Sequence, residues 1–278
     1  MKSNINKLQI NSNKFNHVNK NILIISDIHL TNKKGMRNLK KIKDDLCDEF
    51  NNIDYILIVG DIIDNGNDLF IEENRIKFKY YLDNFICRKR TIIVLGNHDL
   101  INTNSVILFK EMFKDIKNVS ILDNGEIIKE DIFSFMGIVP DREYYYDYKE
   151  DIGKYEKFVL SKCKNKFDKK SFNIVLTHSP ISILEYSKIN NKCVIDNTDL
   201  VVSGHMHNGL VPIFLQKFLK GRGFVGPFKK LFINYCYGIY KVANTTFIIN
   251  GAINTYVKNK VINSLFSAKA TLIKISSN

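Results

Sequence analysis

Ile56-Leu57-Ile58-Val59-Gly60-Asp61-Ile62-Ile63-Asp64 is a short apolar run that stops abruptly at Gly-Asp. A continuous apolar run of this length suits a strand buried on both faces of a sheet. The carboxylate of Asp61 then falls just past the strand's C-terminal end, where open α/β sheets place their ligands. Working outward, other apolar runs end in the same way. Ile22-Leu23-Ile24-Ile25 leads into Asp27-Ile28-His29, and Thr91 to Leu95 leads into Gly96-Asn97-His98-Asp99. Phe172 to Thr177 leads into His178-Ser179-Pro180, and Leu200 to Ser203 into Gly204-His205-Met206-His207. Of the 6 histidines, only His17 lies away from such a strand end. One such histidine could be an accident of the surface; five in the same arrangement are a constellation.

Each member carries a chemical expectation. On extended backbone, residues i and i+2 face one side, which would pair Asp27 with His29 and His205 with His207. A carboxylate beside an imidazole is half of a metal site. Asn97 offers a carbonyl oxygen to a cation, His98 a proton, and Asp99 a carboxylate that could fix the tautomer of His98. With Asp61 as the bridge, the set predicts two divalent metal ions. Two such ions ~3.5–4 Å apart lower the pKa of a bridging water and clamp an in-line displacement. Mixed nitrogen and oxygen ligands without thiolate favour Mn, Fe or Zn, with Mn taken as the ion that supports activity.

Helical patterns are expected over 36–50 (Met36, Leu39, Ile42, Leu46 and Phe50), 71–86, 105–115 and 150–165, and Pro180 suits the first turn of another helix. Short strands are expected at 4–10, 119–122, 126–129 and 132–137, with closing strands at 235–242, 245–250 and 270–275. Asn124-Gly125 between apolar runs reads as a hairpin turn. Tyr144-Tyr145-Tyr146 with Tyr148 reads as a loop that packs on the surface. With neither linker nor internal repeat, residues 1–278 are expected to form one domain.

Composition sets the outer limits. Hydrophobic content of 45% supports a real core. The 5 cysteines are scattered and contain no CxxC, against both a disulfide framework and a thiolate metal site, and in keeping with a cytoplasmic setting. The first twenty residues contain no long apolar core, so no signal peptide is expected. Net charge is +12, and it is uneven. Residues 200–278 hold ten bases and no acid, whereas residues 1–199 hold 31 bases against 29 acids, or +2. Such asymmetry suggests an anionic partner surface.

Taken in order, D-x-H (Asp27, His29), GD-x-x-D (Gly60, Asp61, Asp64), GNHD (Gly96 to Asp99), a lone His178 and GH-x-H (Gly204, His205, His207) resemble the calcineurin-like metallophosphoesterase superfamily. The resemblance covers residues 21 to about 275. It implies an α/β fold, a four-layer α/β/β/α sandwich of two mixed sheets flanked by helices. It also implies one metal on Asp27, His29, Asp61 and His207, and a second on Asp61, Asn97, His178 and His205. His98 would be the catalytic histidine with Asp99 in support, and Asp64 would shape its loop rather than bind metal. Asn65-Gly66 after the second motif and Asp99 in the third depart from the protein Ser/Thr phosphatase pattern. The C-terminal third, from His207-Asn208-Gly209 through a basic aromatic loop at about 208–234 to Gly251, resembles a bacterial membrane-associated branch, part of which cleaves lipid-linked pyrophosphates or phosphodiesters.

That loop mixes Ile213, Phe214, Leu215, Phe218, Leu219, Phe224, Phe228 and Phe232 with five bases. A basic amphipathic segment can lie in a membrane interface; equally, its aromatics can pack on the sandwich. A nucleic-acid surface ranks below both, because no recognised module accompanies it. The expected function is thus hydrolysis of a phosphodiester or pyrophosphate by a dinuclear metal centre, on a phosphate-ester substrate at the inner membrane face. A soluble nucleotide phosphodiesterase or nuclease is the alternative at the same site. A non-catalytic metal-binding scaffold is the alternative of another kind.

Overall fold

The computed structural model describes residues 3–277 except 32, 88, 103, 146–151, 164–165, 227–229, 256–265 and 267. Tyr146, Tyr148, Phe228 and Lys229 therefore lie outside the described residues.

Two six-stranded mixed sheets form the centre. In the first, the order is β1 (Asn4–Ser12), β12 (Lys269–Ser277), β2 (Asn19–Ile25), β3 (Tyr55–Val59), β4 (Arg90–Val94), β5 (Val119–Ile121). In the second it is β10 (Gly238–Val242), β11 (Thr245–Ile249), β9 (Leu200–Ser203), β8 (Phe172–Thr177), β7 (Phe133–Ile138), β6 (Ile127–Glu130). β2 to β5 are mutually parallel, as are β7, β8, β9 and β11. A parallel sheet needs cover on both faces, hence the near-continuous apolar runs of these strands.

Alternation along each strand builds the layers. Ile22, Ile24, Leu57, Val59, Ile92 and Val94 face Phe133, Phe135, Ile174, Leu176 and Val202 between the sheets. Leu23, Ile25, Ile56, Ile58 and Ile93 point the other way, against α1 (Lys33–Leu46), α3 (Glu72–Asp83) and α4 (Ser105–Phe113). A short helix, α2 (Asp48–Asn51), follows α1 and carries Phe50. On the far side Val175, Val201 and Phe247 meet α5 (Ile152–Lys162) and α6 (Ile181–Asn190). The result is the expected four-layer α/β/β/α sandwich, because a period of two divides every central strand between two apolar layers.

Two local expectations are corrected. Asn124-Gly125 is not a hairpin turn: β5 pairs with β4 in the first sheet, whereas β6 pairs with β7 in the second. The chain changes sheets there. The Asn124 amide holds the crossing by donating to the Val139 carbonyl (2.8 Å) and accepting from the Val139 N–H (2.7 Å). The hairpin lies one strand later, between Glu130 and Phe133, with Asp131 at φ 51°. Within the stretch read as a basic loop, Ile213–Leu219 forms a helix, α7, directly after Pro212.

Candidate metal centre

The parallel strands of both sheets end at one edge, so residues far apart in sequence meet there. Asp27 and His29 follow β2, Asp61 follows β3, Asn97 and His98 follow β4, His178 follows β8, and His205 and His207 follow β9. Two groups of side chains could each hold a metal ion: Asp27, His29, Asp61 and His207, and Asp61, His178 and His205. Within each group the ligand atoms lie within 4.8 Å of one another, and Asp61 belongs to both. Every one of these residues is buried except His207, which is partly buried.

The backbone route to this geometry differs from the expected extended one. Asp27 (φ 52°), His29 (51°), Asp61 (51°), His205 (69°) and His207 (44°) all adopt left-handed backbone. Such conformations cost of order 1–3 kcal/mol per non-glycine residue and gather at functional sites. The twists are held by hydrogen bonds that continue past the strands, from Asp27 N to Gly60 O (3.0 Å) and from Ile28 N to Asp61 O (2.8 Å). As a result His205 and His207 do not share a side. They part, one to each group.

Glycine is required at Gly96 for closeness of approach rather than for turning. A Cβ there would lie 2.5 Å from the Asp61 nitrogen and 2.9 Å from His178 Cδ2.

His178 Nδ1 donates to the Val59 carbonyl (2.7 Å), which leaves Nε2 facing Asp61 Oδ2 at 3.1 Å. Fixing one ring nitrogen on a carbonyl presents the other as a ligand. His207 Nε2 stands 3.4 Å from Asp27 Oδ1, and the His29 and His207 rings stack at 5.3 Å. Among the described residues, buried Asn97 Oδ1 and His29 Nε2 find no hydrogen-bond partner. Buried polar atoms left without a partner in a cluster of carboxylates and imidazoles are what a bound cation would satisfy. The residues present therefore fit divalent metal ions.

The electrostatics agree. Burial works to raise Asp61, yet the charge and hydrogen bond of His178 outweigh it and hold the carboxyl far below the usual range. Burial works to lower His178, but Asp61 and then Asp27 hold it up at about 9. Burial and the neighbouring His178 charge push His205 down to about 3. Burial likewise lowers His207. Two buried carboxylates thus draw a positive charge onto the nearest imidazole, the place a cation would take.

His98 and Asp99 divide their tasks differently from the sequence expectation. His98 Nδ1 donates to the Asp64 backbone carbonyl (2.7 Å), so that carbonyl, not Asp99, fixes its tautomer. Asp99 is fully buried and accepts from Ile62 N (3.0 Å), Ile63 N (3.1 Å) and Gly96 N (2.9 Å). It clasps the loop after β3 to the loop after β4. Burial, and then the charge of Asp61, push Asp99 up to about 7. Asp64, set aside as a ligand, also stands 3.3 Å from His29 Nδ1 through its carboxylate.

Sequence reasoning missed three further residues. Tyr145 is buried, its ring 5.3 Å from His205 and 5.9 Å from His178, where a surface loop was expected. Asn254 and Thr255 line the same cavity as His29, Asp61, Asn97 and His98, a space of about 430 Å3. The buried Thr255 hydroxyl finds no hydrogen-bond partner among the described residues. No local pattern marks these residues; only the folding of the 250s back onto Asp27, through Asn254 N to Asp27 O (2.9 Å), brings them in.

Among solved structures, the chain is similar to TT1561 of Thermus thermophilus, with a TM-score of 0.50, 12% identity, and 85% of this chain and 91% of the other covered. It is also similar to GAP50, the anchor in the inner membrane complex of Plasmodium, with a TM-score of 0.47, 17% identity, and 87% and 76% covered. No curated protein sequence matches it. The family model for calcineurin-like phosphoesterases matches residues 20–209, which contain every strand end that meets at the centre. The chain therefore belongs to the calcineurin-like phosphoesterase family and is a metal-dependent phosphoesterase.

Proposed function

We propose that the chain hydrolyses a phosphodiester or pyrophosphate bond with two divalent ions, one in each ligand group. The observation that carries this reading is the membership of Asp61 in both groups. Asp27, His29, Asp61 and His207 would hold one ion, and Asp61, Asn97, His178 and His205 the other. Such a pair supplies Lewis-acid polarisation of a phosphoryl oxygen and a nucleophilic water at neutral pH. The donor set suits Mn, Fe or Zn, and we take Mn as the ion that supports turnover.

His98 faces the cavity, with Nδ1 committed to the Asp64 carbonyl. With the ring doubly protonated, its Nε2 is the atom that donates a proton to the leaving oxygen. Asp99 acts through the loops it joins, holding Asp61 and Asn97 in register. Pairing of β1 with β12, which ties both ends of the chain into one sheet, supports reading residues 1–278 as one domain.

We read the substrate as membrane-associated. Phe214 and Phe218 on α7 are 64% and 75% exposed, and Leu231 and Phe232 are 66% and 74% exposed, too much apolar surface for a face packed on the sandwich. Lys217, Lys220 and Arg222 lie among them, and each base near anionic lipid adds ~1 kcal/mol. Leu210, Val225 and Gly226 of the same stretch line the cavity. Among the described residues no helix is long and apolar enough to cross a membrane; the exposed apolar and basic side chains of this stretch are what we read as a peripheral attachment.

The test has two arms. Bis(p-nitrophenyl) phosphate and p-nitrophenyl phosphate are offered to chelated protein with and without Mn²⁺; metal-dependent cleavage is expected, and metal binding without turnover of either ester counts against hydrolysis. Cosedimentation with phosphatidylglycerol vesicles, reversed by salt, is expected. Failure to sediment with active protein favours the soluble nucleotide phosphodiesterase.

A further inference from the structure

A second cavity adjoins the centre. It measures about 340 Å3 and shares Asn97 with the first. Leu100, Ile101, Val106, Val139 and Pro140 form its walls, and Tyr145, the residue that stands against His178 and His205, lines it as well. The walls are well supported. Leu100 and Ile101 continue the loop clasped by Asp99, Val106 lies in α4, and Val139 is gripped by Asn124 on both its N–H and its carbonyl. With the Asn124 amide so engaged, the one charged group at the rim among the described residues is Asp141, which is negative. Apolar walls with a carboxylate at the rim suit an uncharged apolar group.

The two cavities differ in one decisive respect. His98 lines the first and not the second. A phosphate seated at Asp61 and Asn97 has its leaving oxygen on the side of His98, since that is where a proton is supplied. A substituent that stays on phosphorus must then extend elsewhere, and the second cavity begins at Asn97, the residue that the two spaces share.

Resting on the phosphoesterase reading above, we infer that the second cavity holds the retained arm of a phosphodiester, and that this arm is uncharged and apolar. Hydrolysis breaks the P–O bond on the His98 side. The leaving oxygen takes a proton from His98, the hydroxyl of water goes to phosphorus, and the other proton of that water restores His98. An alcohol leaves from the first cavity, and the monoester of the apolar arm remains in the second. A simple monoester would leave the second cavity empty.

The test is a series of p-nitrophenyl alkyl phosphates with methyl, butyl and hexyl as the retained arm, hydrolysed by the whole chain with Mn²⁺. Burial of one methylene corresponds to about fourfold in binding, so kcat/KM is expected to rise by about tenfold or more from methyl to butyl. A terminal carboxylate on the arm should abolish the gain. Ile101→Trp at the exposed rim and Val106→Trp in the wall each fill the space and should flatten the series, with folding checked by circular dichroism. Calorimetric binding of hexyl phosphonate against methyl phosphonate, which needs no turnover, should lose its preference in the same variants. A flat series in the natural chain, or a full preference in both folded variants, overturns the inference while leaving the hydrolase reading intact. Metal binding without hydrolysis of any diester overturns both.

Discussion

Replacing Gly96 by alanine probes how tightly the two sheets are drawn together at the centre. The added Cβ would fall inside van der Waals contact with Asp61 Oδ1, 2.5 Å from the Asp61 nitrogen and 2.9 Å from His178 Cδ2. None of these atoms is the free end of a flexible chain: one is backbone, and the others belong to fully buried side chains. Relief to an ordinary contact of 3.4 Å requires the loop after β4 to move by about 1 Å away from β3. That movement strains the bonds from Gly96 N to Asp99 Oδ2 and from His98 N to Asp61 Oδ1, each 2.9 Å. Overpacking costs about 1–3 kcal/mol, and loss of each bond adds about 1 kcal/mol. A total of about 3–5 kcal/mol lowers Tm by about 5–9 °C for a chain of this size. Displacement of Asp61 should also weaken metal binding by about 10–100-fold, as loss of supporting contacts does. Thermal unfolding by circular dichroism and Mn²⁺ titration calorimetry read the two effects. A Gly96→Ala protein with the natural Tm and the natural affinity would refute the reasoning.

Three further outcomes follow from other contacts. Asn124→Ala removes both bonds to Val139 and should cost about 2 kcal/mol in urea unfolding; a change below about half a kcal/mol would contradict the role given to the sheet crossing. Lys269 is 4% exposed, and burial lowers it from 10.5 to about 8. Between those two pH values the unfolded chain holds the proton and the folded chain does not, so stability should rise with pH across the window, by up to about 3 kcal/mol. Lys269→Met should remove that rise, and the same slope in both proteins would count against it. His98→Ala should lower kcat by about 10²–10⁴-fold with bound metal unchanged on elemental analysis; loss of the metal as well would move His98 from proton donor to ligand support.

Much of this architecture was legible in the sequence because burial on both faces leaves a direct trace. Strands such as Ile56 to Val59 and Phe172 to Thr177 are apolar almost throughout, and their polar ends mark the edge where ligands gather. The residues that come together there, Asp27, His29, Asp61, His178, His205 and His207, all follow such strands and were singled out for that reason. What stayed hidden was set by tertiary context. Asn124-Gly125 carries the chemistry of a turn, and a turn between strands of one sheet looks locally like a crossing between two. The helix at Ile213–Leu219 is rich in aromatic and apolar residues on several sides, so no single stripe announces it. Asp99 follows His98 directly and so looked like its partner, yet neighbours in sequence need not meet. Its carboxylate turns inward to three backbone N–H groups, and the distant Asp64 carbonyl takes its place beside His98. Tyr145, Asn254 and Thr255 reach the site through loop paths that no periodicity encodes.

The central claim is that Asp61 belongs to two metal positions at once, and Asp61→Asn tests it most directly. Metal content and Mn²⁺-dependent hydrolysis of bis(p-nitrophenyl) phosphate would be measured on the folded variant beside the natural chain. The account predicts that stoichiometry falls from two ions toward none and that turnover is abolished, with circular dichroism unchanged. Two bound ions and natural turnover in the variant would contradict it.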